Sequence, residues 1–266
     1  MIACVAPSVA PAQTASADGA TLLTPHDLGV LGLSTLGAIG VSSVDVKLAR
    51  IFADTGLHNR HPTVGQWSRR ASIFTETVYM ISGGLVYLVA QHTGDRTTED
   101  VALHTTAAVF GGAMSIQVVR GAIGRARPFV DDTIAEREHV EQYDFHLMRG
   151  FRSYDYRSFP SMHAMASFAV ASALSQEMRY RDAPHRKIVS PLLYTFATMP
   201  AASRLFLNEH WASDIALGVV IGVVAGQRAV GYTHAHPDNR FDHRFLRAGI
   251  MRSGGHTSLL LAPGST

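Results

Sequence analysis

The 266-residue chain carries 23 Lys and Arg against 21 Asp and Glu, and a net charge of +2 is too weak to recruit nucleic acid. Hydrophobic residues make up 47% and charged residues 17%, which provides for a large core and argues against bulk disorder. A single cysteine, Cys4, excludes an internal disulfide and any cysteine-based zinc site.

In chain order, residues 1–25 are small and uncharged until Asp18, with Ala-Pro-Ala and Ala-Ser-Ala stretches that resemble export cleavage sites. The basic start and longer apolar core of a secretory signal are missing, so the segment reads either as the remnant of an export signal or as an N-terminal tail. Thr24-Pro25-His26-Asp27 predicts a helix start: Thr as N-cap, Pro in the first turn, and Asp near the positive end of the helix dipole. Uncharged runs follow at Leu28–Val44, Thr77–Gly94 and Val101–Val119. Further apolar helical stretches cover about Ser161–Ser175, Val189–Ser203 and Ile215–Gln227. With no strand pattern between them, they predict an all-α bundle of about six helices spanning residues 26–232, followed by a polar C-terminal tail at 233–266.

A membrane span needs roughly 20 predominantly apolar residues. The runs fall just short of that and carry Thr, Ser, His, Gln and many Gly, and the mean hydropathy is +0.10. Buried helices of a soluble bundle read the same way, so membrane association and solubility both stay open. Gly218, Gly222 and Gly226 lie one turn apart on one helix face, where small residues let a neighbouring helix approach closely. The longest interruption, Phe129–Arg157, is charged and aromatic, and loops of that length in a compact domain are usually functional or disordered. Its Phe129, Tyr143, Phe145, Phe151, Tyr154 and Tyr156 suit a lid or a lipid-contacting edge, or else ordinary packing.

Three stretches gather chemistry. In SRLFLNEHWASD (203–214), His210 and Asp214 are four apart, a spacing that on one helix places a carboxylate beside an imidazole and fixes its tautomer. In SFPSMHAM, Ser161 and His163 follow Pro160 at a helix start, where free N–H groups and the helix dipole favour an anion. In RGAIGRARP, Arg120 and Arg127 are seven apart and converge on one ligand if the helix persists; guanidinium groups suit phosphate oxygens. Taken singly, each stretch also fits a surface ion pair, a capped helix start or a solvated basic helix end.

Their order, Arg-x6-Arg-Pro, Pro-Ser-x-His, then Ser-Arg-x5-His-x3-Asp, closely resembles the three-part motif of the type 2 phosphatidic acid phosphatase superfamily, which also holds bacterial acid phosphatases and vanadium haloperoxidases. Two positions depart from it: Arg120 stands where the family usually has Lys, and Met162 where it usually has Gly. The resemblance implies a phosphoric monoester hydrolase of acid phosphatase or phosphatidic acid phosphatase type. His210 would be the nucleophile that forms a phosphohistidine, Asp214 its orienting partner, and His163 the acid and then the base. Arg120, Arg127, Ser161, the Met162 N–H, Ser203 and Arg204 would hold the phosphate.

No metal or other cofactor is called for, and vanadate is expected as an inhibitor or phosphate mimic. The partner is a phosphate ester, soluble or lipid, in a bacterial-type cell envelope, periplasmic or membrane-associated; the oligomeric state is left open. Two alternatives stand beside this reading: a vanadium-dependent haloperoxidase, which the short chain disfavours, and a non-catalytic anion-binding bundle, prompted by Met162. The His-x-His-Pro-Asp stretch at His234–Asp238 invites a metal reading but has no partner of recognised spacing, and His58, His61, His104 and His146 look isolated.

Overall fold

A computed structural model describes residues 23–128 and 141–236, together with the backbone of 250–253 and 256–259. Phe129, the segment 1–22 and Asp238 lie outside the described residues. Nine α-helices are described: α1 (Pro25–Val41), α2 (Asp45–Ala53), α3 (Thr55–Arg60), α4 (Pro62–Ala71), α5 (Glu76–Thr93), α6 (Arg96–Ile123), α7 (Met162–Tyr180), α8 (Arg186–Phe206) and α9 (Ala212–Ala235). The six expected helices are all present, as α1 and α5 to α9. The three additional ones, α2 to α4, fill Asp45–Ala71, a polar and charged stretch whose short helices leave no long apolar run. The fold is all-α apart from one feature the sequence pattern did not suggest, an antiparallel pair of short strands, β1 (Ile250–Ser253) and β2 (His256–Leu259).

Helix starts follow local chemistry. Thr24 caps α1 as expected: Asp27 N–H donates to Thr24 Oγ1 (3.3 Å), and Thr24 N–H donates back to Asp27 Oδ2 (2.7 Å). Arg228 of α9 pairs with the same carboxylate at 2.6 Å and ties α1 to the bundle. The closest helix pair is α7 with α9. A Cβ added at Gly218, Gly222 or Gly226 would lie 2.5 Å from Ser161 O, 2.3 Å from Met165 O or 2.6 Å from Ala173 N, so only hydrogen fits on that face. Ile116, Met165, Ala166 and Ala169 form the core between α6 and α7, and Phe168, Ala197 and Ala201 join α7 to α8.

The outside of the bundle is apolar as well. Leu33 of α1, Val89 of α5 and Phe196 of α8 are 71%, 63% and 65% exposed, in company with Leu36, Ile39, Leu85 and Ile188. Three helical segments, Pro25–Ala53, Arg96–Ile123 and Ala212–Ala235, are long and apolar enough to cross a membrane, and α4 with α5 forms a fourth if that bent pair is one span. Large apolar side chains facing outward along α1 and α5 fit a hydrocarbon solvent, which resolves the open question of the sequence in favour of membrane association.

Candidate active site

The site lies where α6 ends and α7 and α9 begin. Arg120 and Arg127 do not share a continuous helix, contrary to the simplest reading of their spacing. The chain leaves the helix at Gly124, whose φ of +61° suits glycine and whose added Cβ would meet His146 O at 1.9 Å. From there Ala126 N–H donates to Asp144 O and Arg127 N–H to Asp155 O, so the segment is held by the 141–157 loop.

Arg125, which the motif comparison passed over, anchors the buried centre. Its Nη1 donates to Asp214 Oδ1 (2.6 Å) and Ser213 Oγ (2.8 Å), and its Nη2 to Asp45 Oδ2 (2.9 Å). One guanidinium thus bridges two buried carboxylates, and the net negative charge that remains is held by hydrogen bonds, among them one from Ser213 Oγ to Asp45. Asp214 also accepts from Ser158 Oγ and from Trp211 N–H (2.9 Å), the latter fixing the start of α9.

His210 and Asp214 are not two turns of one helix: His210 sits in the link between α8 and α9, and Asp214 lies in the first turn of α9. They nevertheless meet, His210 Nδ1 lying 3.6 Å from Asp214 Oδ2, beyond hydrogen-bond length, and Nδ1 has no hydrogen-bond partner among the described residues. With Nδ1 toward the carboxylate, Nε2 points away from it. Burial, then the charge of Arg127, pushes His210 down to about 3, so the imidazole is neutral at pH 7.

Arg127 and Arg204 are both buried and converge on one carboxylate: Glu209 Oε2 lies 2.7 Å from Arg127 Nη1 and 3.0 Å from Arg204 Nη2, and accepts from Tyr154 Oη at 3.2 Å. Glu209 was not picked out from the sequence; its place beside His210 was the available signal. Arg204 Nε is buried with no hydrogen-bond partner among the described residues. Arg120 is half-buried and gives its Nε to Gln117 (2.8 Å). Ser203 is buried, but its hydroxyl donates to Pro200 O (2.7 Å), so that proton is committed to α8 and not to an anion.

Ser161 stands at the start of α7, fully buried, with no side-chain cap on the helix and no partner for its Oγ among the described residues. Its N–H donates to Asp214 O (3.0 Å), joining the second and third motifs through the backbone. Met162 adopts ordinary helical geometry, and its side chain packs in the core with Ile116 and Val109. The bulk expected of a glycine replacement is therefore directed into the protein. His163 Nε2–H donates to Ser72 O (3.0 Å), which sets the tautomer and leaves the Nδ1 lone pair available. Burial, then Arg204, with Arg127 and Arg120 acting the same way, holds His163 at about 4.

Loop aromatics Tyr143, Phe145, Phe151 and Tyr154 are exposed beside Leu147 and Met148 on this end of the bundle. His234 lies in the last turn of α9 and His236 just beyond it, and His58 Nε2–H donates to Phe52 O while its ring packs on Phe206 at 4.6 Å.

Part of the chain resembles known proteins. Over 75 residues the chain is 35% identical to the lipid A 1-phosphatase of Porphyromonas gingivalis, a match that covers 28% of this chain and 16% of that relative. A crystal structure of a transmembrane PAP2-type phosphatidylglycerolphosphate phosphatase from Bacillus subtilis aligns with 77% of this chain and 98% of that one, at 17% identity and a TM-score of 0.41. The model of the PAP2 superfamily matches residues 101–237, the stretch that carries every arginine, histidine and serine of the three motifs, and the chain belongs to that superfamily.

Proposed function

We propose that the chain is a phosphatase that hydrolyses phosphate monoesters of membrane lipids through a phosphohistidine, with its charge neutralisation supplied by arginine. The observation that carries this reading is a pair of buried donors, Ser161 Oγ and Arg204 Nε, with no hydrogen-bond partner among the described residues, Arg204 converging with Arg127 on Glu209. Buried polar groups without partners are rare; Ser161 stands at an uncapped helix start and Arg204 is itself a buried cation, and a tetrahedral oxyanion would satisfy both. The lipid substrate class rests on the outward apolar helices and the exposed aromatic and aliphatic residues of the 141–157 loop.

In this mechanism Arg120, Arg127, Arg204, Ser161 and the Met162 N–H bind the phosphoryl oxygens. Neutral His210 attacks phosphorus through Nε2 in line with the leaving oxygen, the ester P–O bond breaks, and Asp214 compensates the imidazolium that forms. His163 must be protonated to donate to the departing alkoxide. The free site disfavours that proton; a bound phosphate dianion restores it by offsetting the arginine charges. In the second step His163 takes a proton from water, which attacks the phosphohistidine and releases phosphate. Ser203 has no donor role in this scheme.

The test is hydrolysis by the full chain in lipid micelles, with chelator present, of a phosphomonoester lipid beside a soluble aryl phosphate, together with trapping of acid-labile phosphoenzyme. Turnover of the lipid ester and phosphoenzyme that is lost in His210→Ala are expected. Bromide oxidation after vanadate loading, with no ester turnover, would assign the haloperoxidase reaction instead.

A further inference from the structure

Far from the arginines, three helices bring together side chains that the sequence shows as isolated. His104 is 16 residues before Arg120 on α6, Glu177 is 16 after Ser161 at the start of α7, and His234 is 20 after Asp214 on α9. At about 1.5 Å per residue the cluster therefore lies roughly 24–30 Å from the phosphate site. His104 Nδ1 is 2.6 Å from Glu177 Oε1, and His234 Nε2 is 3.1 Å from the same oxygen. All three atoms lie within 4.8 Å of one another. His104 and Glu177 are buried, and the His234 side chain is 26% exposed, so one side of the cluster opens outward.

A buried carboxylate satisfied by two imidazole donors is the plainest account of these contacts. Burial pushes the Glu177 carboxyl up, but the hydrogen bonds from His104 and His234 outweigh it and hold it well below the usual carboxylate range. That account leaves two features over. Both imidazoles aim at one oxygen, although Glu177 has a second oxygen to offer. That second oxygen, Oε2, is instead held by Arg181 Nε at 2.9 Å, with Arg181 in turn paired to Asp100 at 3.3 Å. One nitrogen from each ring and one carboxylate oxygen thus converge on a common point, with the outer oxygen fixed by a separate partner, as outer-shell groups fix metal ligands.

We propose that His104, Glu177 and His234 form a zinc-binding site that clamps α6, α7 and α9 together at the end of the bundle away from the phosphate. Two histidines and a glutamate are a known zinc set, and the fourth position is left to water on the exposed His234 side. Ligand atoms around a tetrahedral zinc at about 2.1 Å stand roughly 3.4 Å apart, so the present spacing has to open by less than an ångström on the His104 side. Moving each ring proton to its outer nitrogen frees the two inner lone pairs without any net change in protonation. Tyr180 stacks on His234 at 4.4 Å and 7°, which steadies the most exposed ligand.

The experiment uses the full chain, purified in detergent without a polyhistidine tag, stripped with chelator and re-equilibrated with zinc or cobalt alone. About one tightly held zinc per chain, a raised Tm on zinc addition, and intense visible cobalt bands of a tetrahedral site are expected. His234→Gln and His104→Gln should lose the metal, while His210→Ala should keep it. Failure to retain zinc at stoichiometry, or retention undiminished in both Gln variants, would overturn the proposal. The cobalt spectrum of the unaltered chain tests it even if a variant does not fold: weak octahedral bands or none are equally fatal. Hydrolysis at the arginine site is measured in parallel, and its absence alongside metal binding would refute the phosphatase reading only.

Discussion

Glu209→Gln is the substitution that best probes the phosphate site. The carboxylate of Glu209 accepts from Arg127 at 2.7 Å and Arg204 at 3.0 Å, two guanidiniums that are 3% and 5% exposed in their side chains, while Glu209 itself is 26% exposed. On the proposed reading, an incoming phosphate takes those donors from it. Hydrogen bonds involving charged groups contribute about 1.5–3 kcal/mol each, and a neutral amide oxygen accepts about half as strongly. Two contacts weakened by half sum to about 1.5–3 kcal/mol, an upper bound because Glu209 is partly exposed, so the Kd for inorganic phosphate or vanadate should tighten by at most roughly 10- to 100-fold. Titration calorimetry with phosphate on the full chain reads this directly, and the KM for a lipid phosphate should fall in parallel. A Gln variant that binds phosphate equally or more weakly would show that Glu209 holds the arginines in place and does not stand where the phosphate binds.

Three further outcomes follow from the same geometry. His210→Ala should abolish turnover of both an activated aryl phosphate and an alkyl phosphate, whereas His163→Ala should slow the alkyl ester by about 10²–10⁴-fold and the aryl ester far less, with Asp214→Asn between them; a near-normal aryl rate in His210→Ala would sink the phosphohistidine. Because His163 and His210 sit at about 4 and about 3 in the folded chain against 6.5 ordinarily, the unfolded chain binds more protons between those values, so stability should fall as pH drops from 6.5 toward 4; denaturant melts of His163→Gln should show a shallower acid loss. Gly222→Ala should cost about 1–3 kcal/mol, since its Cβ would meet Met165 O at 2.3 Å, and an unchanged Tm would mean α7 and α9 can separate without penalty.

The long helices and the three motifs were legible because both are written locally. Charge-free runs marked α1 and α5 to α9, and residue spacing marked Ser161, His163, Arg204, His210 and Asp214. What escaped depends on contacts between distant segments. Arg125 differs from Arg127 only by where the chain goes after Gly124, and that turn is dictated by His146 O approaching from the 141–157 loop. The short helices between Asp45 and Ala71 carry too many polar residues to stand out, although Asp45 itself is buried against Arg125 and Ser213. Ser203 matched a motif, but its hydroxyl had a nearer acceptor in Pro200 O. His104 and His234, 130 positions apart, had no sequence signal that they share a carboxylate.

The contact between α7 and α9 has a consequence for how such a site can change. Gly218 brings α9 against the Ser161 carbonyl, and Ser161 N–H reaches Asp214 O at 3.0 Å, so no side chain separates the two helix starts. The distance from the anion-facing serine to the carboxylate behind His210 is therefore gauged by main-chain atoms, which have no rotamers to adjust. On the proposed reading, this main-chain gauge is the same for every substrate. On that reading, accommodation to a larger or differently charged substrate is left to side chains such as Tyr154 and Glu209, which stand on a loop and a link and bond each other. Altered substrate range should accordingly arise by replacements there, while replacements along the glycine face change the reaction rate for every substrate alike.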